Sequence, residues 1–143
     1  EAPIFGARTV GQVTTLALEG EDGLLASLDL RGVKSVHAGA WYVATKESLL
    51  HVSAARRVRT VATCKGGHFF GIATSLDVSA LIVSDIGNHK IRRVEVATGA
   101  VTTLTGSGAR GSADGVGGAA QFKHPTALAI SPDGSTLSVC ANG

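Results

Sequence analysis

The chain has no methionine, three prolines, two cysteines, one tryptophan, one tyrosine and four phenylalanines among its 143 residues. Each shortage excludes something. Two cysteines without C-x-x-C spacing make no disulfide framework. Cys64 and Cys140 fall at different positions of an internal repeat, so no bridge between them is expected. Scarce aromatics leave a thin stacking platform for single-stranded nucleic acid. Charged residues make up 17%, below the usual quarter, so much of the chain should be buried. A net charge of +2 is too small to argue for nucleic acid by itself. No apolar run approaches the roughly 18 residues of a membrane helix, so no membrane span is expected. Glu1 opens the sequence with neither a methionine nor an apolar leader, as a processed form or a piece of something longer would.

Catalytic signatures are missing too. There is no H-E-x-x-H, no G-x-S-x-G and no phosphate-cradling G-x-x-x-x-G-K. Gly106-Ser107-Gly108-Ala109-Arg110-Gly111 has the outline of a dinucleotide loop. It follows an outer strand and opens no helix, so that reading is rejected.

What the chain does have is repetition. Val13-Thr14-Thr15-Leu16 returns as Val58-Arg59-Thr60-Val61 and identically as Val101-Thr102-Thr103-Leu104, at spacings of 45 and 43 residues. Ile72–Val83 aligns without gaps to Leu128–Val139 at an offset of 56, with Ser75, Asp77, Ser79, Leu81 and Val83 repeated as Ser131, Asp133, Ser135, Leu137 and Val139. A period of about 40–50 residues in a β-rich chain is the mark of propeller blades. The frame cuts the chain into units of about 13–57, 58–100 and 101–143.

Period-2 alternation and turn residues then place the strands. The first full unit reads as strands over 34–38, 41–45, 48–53 and 57–63, and the second as 69–74, 80–84, 91–96 and 101–105. A third begins with 127–130 and 136–139, and a strand over 10–18 closes an earlier unit. The fold expected is all-β: four-stranded antiparallel propeller blades, about two and a half to three of them. Val83, Val94, Val101 and Leu104 should be buried between blades, with Ile72 and Leu128 near the axis. The Gly-rich loop over 106–123 should be the most mobile ordered segment, unless a partner pins it.

The run from Leu81 to Leu104, with Asp85, Asn88-His89-Lys90 and Arg92, resembles the NHL repeat. Ala113-Asp114-Gly115, Phe122, Pro125 and Ser131-Pro132-Asp133-Gly134 look like that family's inter-blade loop and first hairpin. The resemblance is closest over 81–143; at 44–47, Ala-Thr-Lys-Glu replaces the Asp-x-x-Asn-His pattern. It implies a propeller of typically six blades whose members bind proteins, RNA or small ligands, with a minority of similar architecture acting as metal-assisted lyases or hydrolases.

The favoured function is a non-catalytic scaffold that offers loops on one face to a protein or peptide. Its binding-face candidates are Asp85, Asn88, His89, Lys90, Arg110 and Lys123. Asp85, Asn88 and His89 also have a structural reading, since Asp and Asn side chains hold local backbone. RNA binding is an alternative, through a basic stripe of Arg56, Arg57, Arg59 and Lys65 with Lys90, Arg92 and Arg93. The other alternative is a propeller lyase or hydrolase using a divalent metal. His68 and His124, in phase at the offset of 56, are its candidate ligands, although Gly32 stands at the third equivalent position. No cofactor is otherwise implied. Two such chains could close a ring as a homodimer.

Overall fold

A computed structural model describes residues 31–35 and 39–142. The strand expected over 10–18 lies outside the described residues, as do positions 36–38 of the strand expected over 34–38. Ten strands are described: β1 (Gly32–Ser35), β2 (Trp41–Ala44), β3 (Ser48–Val52), β4 (Val58–Thr63), β5 (Phe69–Thr74), β6 (Ala80–Asp85), β7 (Lys90–Glu95), β8 (Val101–Thr105), β9 (Pro125–Ile130) and β10 (Leu137–Ala141). They form two four-stranded sheets, β1-β2-β3-β4 and β5-β6-β7-β8, and a two-stranded sheet, β9-β10. Every pairing is antiparallel and joins neighbours in sequence. Among the described residues, no helix is long and apolar enough to cross a membrane.

The repeat is physical as well as textual. Ser75-Leu76-Asp77-Val78-Ser79 and Ser131-Pro132-Asp133-Gly134-Ser135 build the same turn. In each, the carboxylate accepts the first serine's hydroxyl (2.7 Å at Asp77) and the last serine's N–H (3.1 and 3.0 Å). Those bonds hold both exposed carboxyls at a pKa of about 2. The fourth turn residue is left-handed in both copies, with φ 57° at Val78 and 75° at Gly134. Glycine takes that backbone freely, whereas a β-branched residue is strained there.

Burial follows from sheets stacked face to face. Tyr42, Ala44, Leu49, Val61 and Ala62 of the first sheet pack on Phe69, Ile72, Leu81, Val83 and Val94 of the second. Val101 joins the edge of this cluster. Ala73, Ile82 and Ile91 on the second sheet's other face receive Leu128, Ile130, Leu137 and Val139 of the third. Fully burying an aliphatic side chain of this kind stabilises by about 1.5–3 kcal/mol.

Leu104 corrects the expectation: it is 43% exposed. It sits on the outermost strand of its sheet, where the register jumps from Ile91↔Thr105 to Arg92↔Thr103, making it the extra residue of a bulge. The third sheet packs mainly through β9 on β5 and β6, the inner strands.

The innermost strands approach through bare backbone. A Cβ at Gly32 would lie 2.0 Å from the Phe70 carbonyl oxygen, and one at Gly71 would lie 2.0 Å from that of Thr126. Ser84 spans the second gap, accepting the Gly71 N–H at 2.7 Å and donating to the Thr126 carbonyl at 2.6 Å.

Candidate interaction face

Strands that alternate in direction send alternate connections to opposite ends of the sheets. The β2–β3, β4–β5, β6–β7 and β8–β9 connections therefore gather at one end. Hydrogen bonds stitch them together. Phe69 N–H donates to the Lys46 carbonyl, Gly66 N–H to Glu47 Oε1, and Ile86 N–H to the His68 carbonyl. Asn88 Nδ2 donates to the Gly66 carbonyl at 2.9 Å.

Asp85 anchors this end. It is fully buried, and both oxygens are occupied. Oδ1 accepts the His68 N–H at 2.9 Å and Asn88 Nδ2 at 2.8 Å; Oδ2 accepts Arg92 Nε and Asn88 Nδ2, each at 3.0 Å. Arg92 Nη1 continues to Thr103 Oγ1 at 2.7 Å. The Asp85 carboxylate thus ties β6 to β7, to the turn between them and to the start of β5. None of its acceptor capacity faces outward. Asn88 is half-buried in the same network.

The third sheet handles the same position differently. Ala141 stands at the offset of 56 from Asp85 and carries no acceptor. The His124 N–H, equivalent to that of His68, is taken instead by Nδ1 of His89, at 3.3 Å. The two imidazoles lie tilted with centroids 4.9 Å apart. Both residues hold left-handed backbone, φ 54° at His89 and 52° at His124. Partial burial lowers the His89 pKa, helped by His124 and then Arg110 and opposed by Asp85. The structure therefore pairs His124 with His89, while His68 sits at the Asp85 network against Gly87. Among the described residues, no group of three or more His, Cys, Asp or Glu side chains converges to hold a metal ion.

The long β8–β9 connection closes on itself. Gly106 N–H donates to Gly117 O at 3.0 Å, Ser107 N–H to Ala120 O at 2.8 Å and Gln121 N–H to Ala113 O at 2.9 Å. Gly117–Ala119 forms one 3₁₀ turn, and Phe122 is packed against the core between the second and third sheets. Arg110 pairs with Phe122 in a short parallel bridge and is itself exposed. Gly108 lies against the Lys90 side chain, and Lys123 is half-buried just before His124. His89, Arg110, Lys123 and His124 thus belong to two adjoining loops, and Lys90 opens β7 beside them.

No family model and no curated protein matches the chain. Solved structures do. An auxiliary nutrient binding protein from Bacteroides thetaiotaomicron matches with a TM-score of 0.61 at 15% identity, over 78% of this chain and 34% of its own. The Kuenenia stuttgartiensis hydrazine synthase matches with 0.61 at 17% identity, over 95% and 33%. Virginiamycin B lyase from Staphylococcus aureus matches with 0.53 at 12% identity, over 75% and 33%. The sheets are propeller-type blades. At these identities the likeness is one of fold alone. The chain spans about a third of the length of each of these three proteins.

Proposed function

We propose that this chain is a segment of an NHL-type propeller that acts as a non-catalytic scaffold and presents its loop-bearing end to a protein or peptide partner. One observation supports the reading above others. Four connections are bonded to one another at that end, and Asp85, Asn88 and Arg92 within it serve the scaffold. Asp85, the most reactive-looking group, spends both oxygens on internal donors. A scaffold whose loops are fixed by strands can vary what the loops offer without disturbing the core.

The test is a peptide-display selection against the chain, with the binding surface mapped by hydrogen exchange. Protection on binding should fall in the β6–β7 loop and residues 106–124. Protection confined to the opposite end, at the β5–β6 and β9–β10 turns, would overturn the assignment. The same purified protein addresses the alternatives. Stoichiometric divalent metal would favour the lyase or hydrolase reading, and salt-dependent binding of single-stranded RNA would favour the nucleic-acid one. Sedimentation velocity separates a monomer from a ring closed by two copies.

A further inference from the structure

The two ends of the sheets differ in charge. Lys46, Lys65, Lys90, Arg110 and Lys123 lie in or beside the loops of the interaction face, against Glu47 and Asp114. Asp85 does not offset them outwardly, because it is buried and paired with Arg92 at 3.0 Å. Glu47 is itself engaged, accepting the Gly66 N–H at 3.3 Å. The opposite end mixes Arg56 and Arg57 with Asp77 and Asp133. His68, His89 and His124 also belong to the basic end.

The densest convergence is where the β6–β7 loop meets residues 106–124. The His89 and His124 rings lie 4.9 Å apart, with Arg110 close enough to His89 to depress its basicity and Lys90 next in the chain. Nδ1 of His89 accepts the His124 N–H, so the neutral ring carries its proton on Nε2. The cluster is therefore rich in donors and cationic groups.

We propose that this convergence is a docking point for a carboxylate-rich segment of a protein partner, with Lys90 and Arg110 supplying fixed charge and His89 a titratable donor. The proposal rests on the reading of this end as the interaction face. Carboxylates are favoured over single-stranded nucleic acid because, among the described residues, most aromatic rings are committed and Phe70 is half-buried. Trp41, Tyr42 and Phe69 are buried, and Phe122 packs against the core. Base stacking needs exposed rings.

Binding is also pH-dependent. The groups acting on His89 are His124 and Arg110, which disfavour its protonation along with partial burial, and Asp85, which favours it. Lys90, the neighbour of His89 in the chain, adds further positive charge at the cluster. Burial, His124 and Arg110 thus hold the ring toward its neutral form; a bound carboxylate favours the charged form, which must release the His124 N–H from Nδ1 to take its second proton. Affinity rises as pH falls and the ring takes up its second proton.

The probe is a fluorescein-labelled oligoglutamate peptide, followed by anisotropy at low salt. Lys90→Ala with Arg110→Ala should weaken binding about tenfold, as expected for loss of charge-assisted contacts. Arg56→Ala with Arg57→Ala, at the far end, should leave it unchanged. Between about pH 7.5 and about pH 5.5 the parent protein should gain severalfold in affinity. His89→Asn should lose that gain, because asparagine tolerates the left-handed backbone but does not titrate. Circular dichroism confirms that each variant is folded. Equal weakening by the two double variants, binding without pH dependence, or tighter binding of single-stranded RNA than of oligoglutamate would each overturn the proposal. Display-selected peptides that bind this end with no acidic bias would overturn it as well, while leaving the interaction face intact. Absence of any binder at this end would remove both.

Discussion

Replacing Asp85 by alanine should be the most damaging single change at the loop-bearing end. The carboxylate is fully buried and receives three donors: the His68 N–H, Asn88 Nδ2 and Arg92 Nε. Removing one partner of a buried ion pair costs about 3–5 kcal/mol, mostly for stranding the other. Here the stranded group has some relief. The Arg92 side chain is 18% exposed and keeps its bond to Thr103, so it can draw water as its partner leaves. The His68 N–H and the Asn88 amide lose their acceptor in the same step. The expected cost of Asp85→Ala is therefore about 3 kcal/mol, at the lower end of that range. Asp85→Asn keeps one oxygen for His68 but turns an amide donor toward Arg92, at a cost of about 1.5–3 kcal/mol. Urea denaturation of the parent, Asp85→Ala, Arg92→Met and the double variant closes a thermodynamic cycle. Its coupling energy should exceed about 1 kcal/mol. Exchange of the His68 amide should quicken in Asp85→Ala beyond what the global change explains. A cost below about 1 kcal/mol, or coupling near zero, would refute the view that this carboxylate holds the end together.

Other expectations can be checked by similar means. Gly134→Val should cost about 1–2 kcal/mol in thermal melts, because it forces left-handed backbone on a β-branched residue with no core to join. Val78→Gly should change stability by less than about 1 kcal/mol, since relief of strain offsets the loss of Val78 from the edge of the first core cluster. Leu81→Ala, at a fully buried site, should cost about 2–5 kcal/mol, whereas Leu104→Ala should cost under about 1 kcal/mol; equal costs would mean that Leu104 is covered. The Asp77 and Asp133 carboxyls should titrate by NMR near about 2. Their folded values lie below the unfolded one of about 3.9, so their support of the turns is complete above that pH and is lost as pH falls through about 2; midpoints near 4 would break the argument.

The strands were legible because alternation and turn chemistry are local. Ser131-Pro132-Asp133-Gly134 announces its turn, and the gapless match to Ser75–Val78 carries the same turn one sheet back. Leu104 was misplaced for an equally local reason. Its identity says core, but a bulge opposite Ile91 and Arg92 removes it from the packed face, and nothing in Val-Thr-Thr-Leu marks a bulge. The loops at 45–48, 85–90 and 106–125 could be assigned to one face by counting strand reversals. The contact between His89 and His124 could not be found that way. Repeat phase pairs His124 with His68, whereas the fold pairs it with the preceding sheet. A signal did exist: alanine at 141, where the previous repeat has Asp85, leaves a backbone N–H in need of another acceptor. The looped course of 106–124 also lay beyond reading from composition, since glycine content reports freedom and not the carbonyls that end up using it.

Gly32 and Gly71 let neighbouring units close up at their innermost strands. Successive units meet at their inner edges with a hydrogen atom where other residues would place a methyl group. A wedge with a thinner inner edge turns through a larger angle at each step. A single added carbon at Gly71 would push Thr126 outward, and a ring of wedges thickened in that way would need more members to come round. The circumference of such an assembly would thus be set by the smallest side chain it contains, on strands and not in the loops that meet a partner.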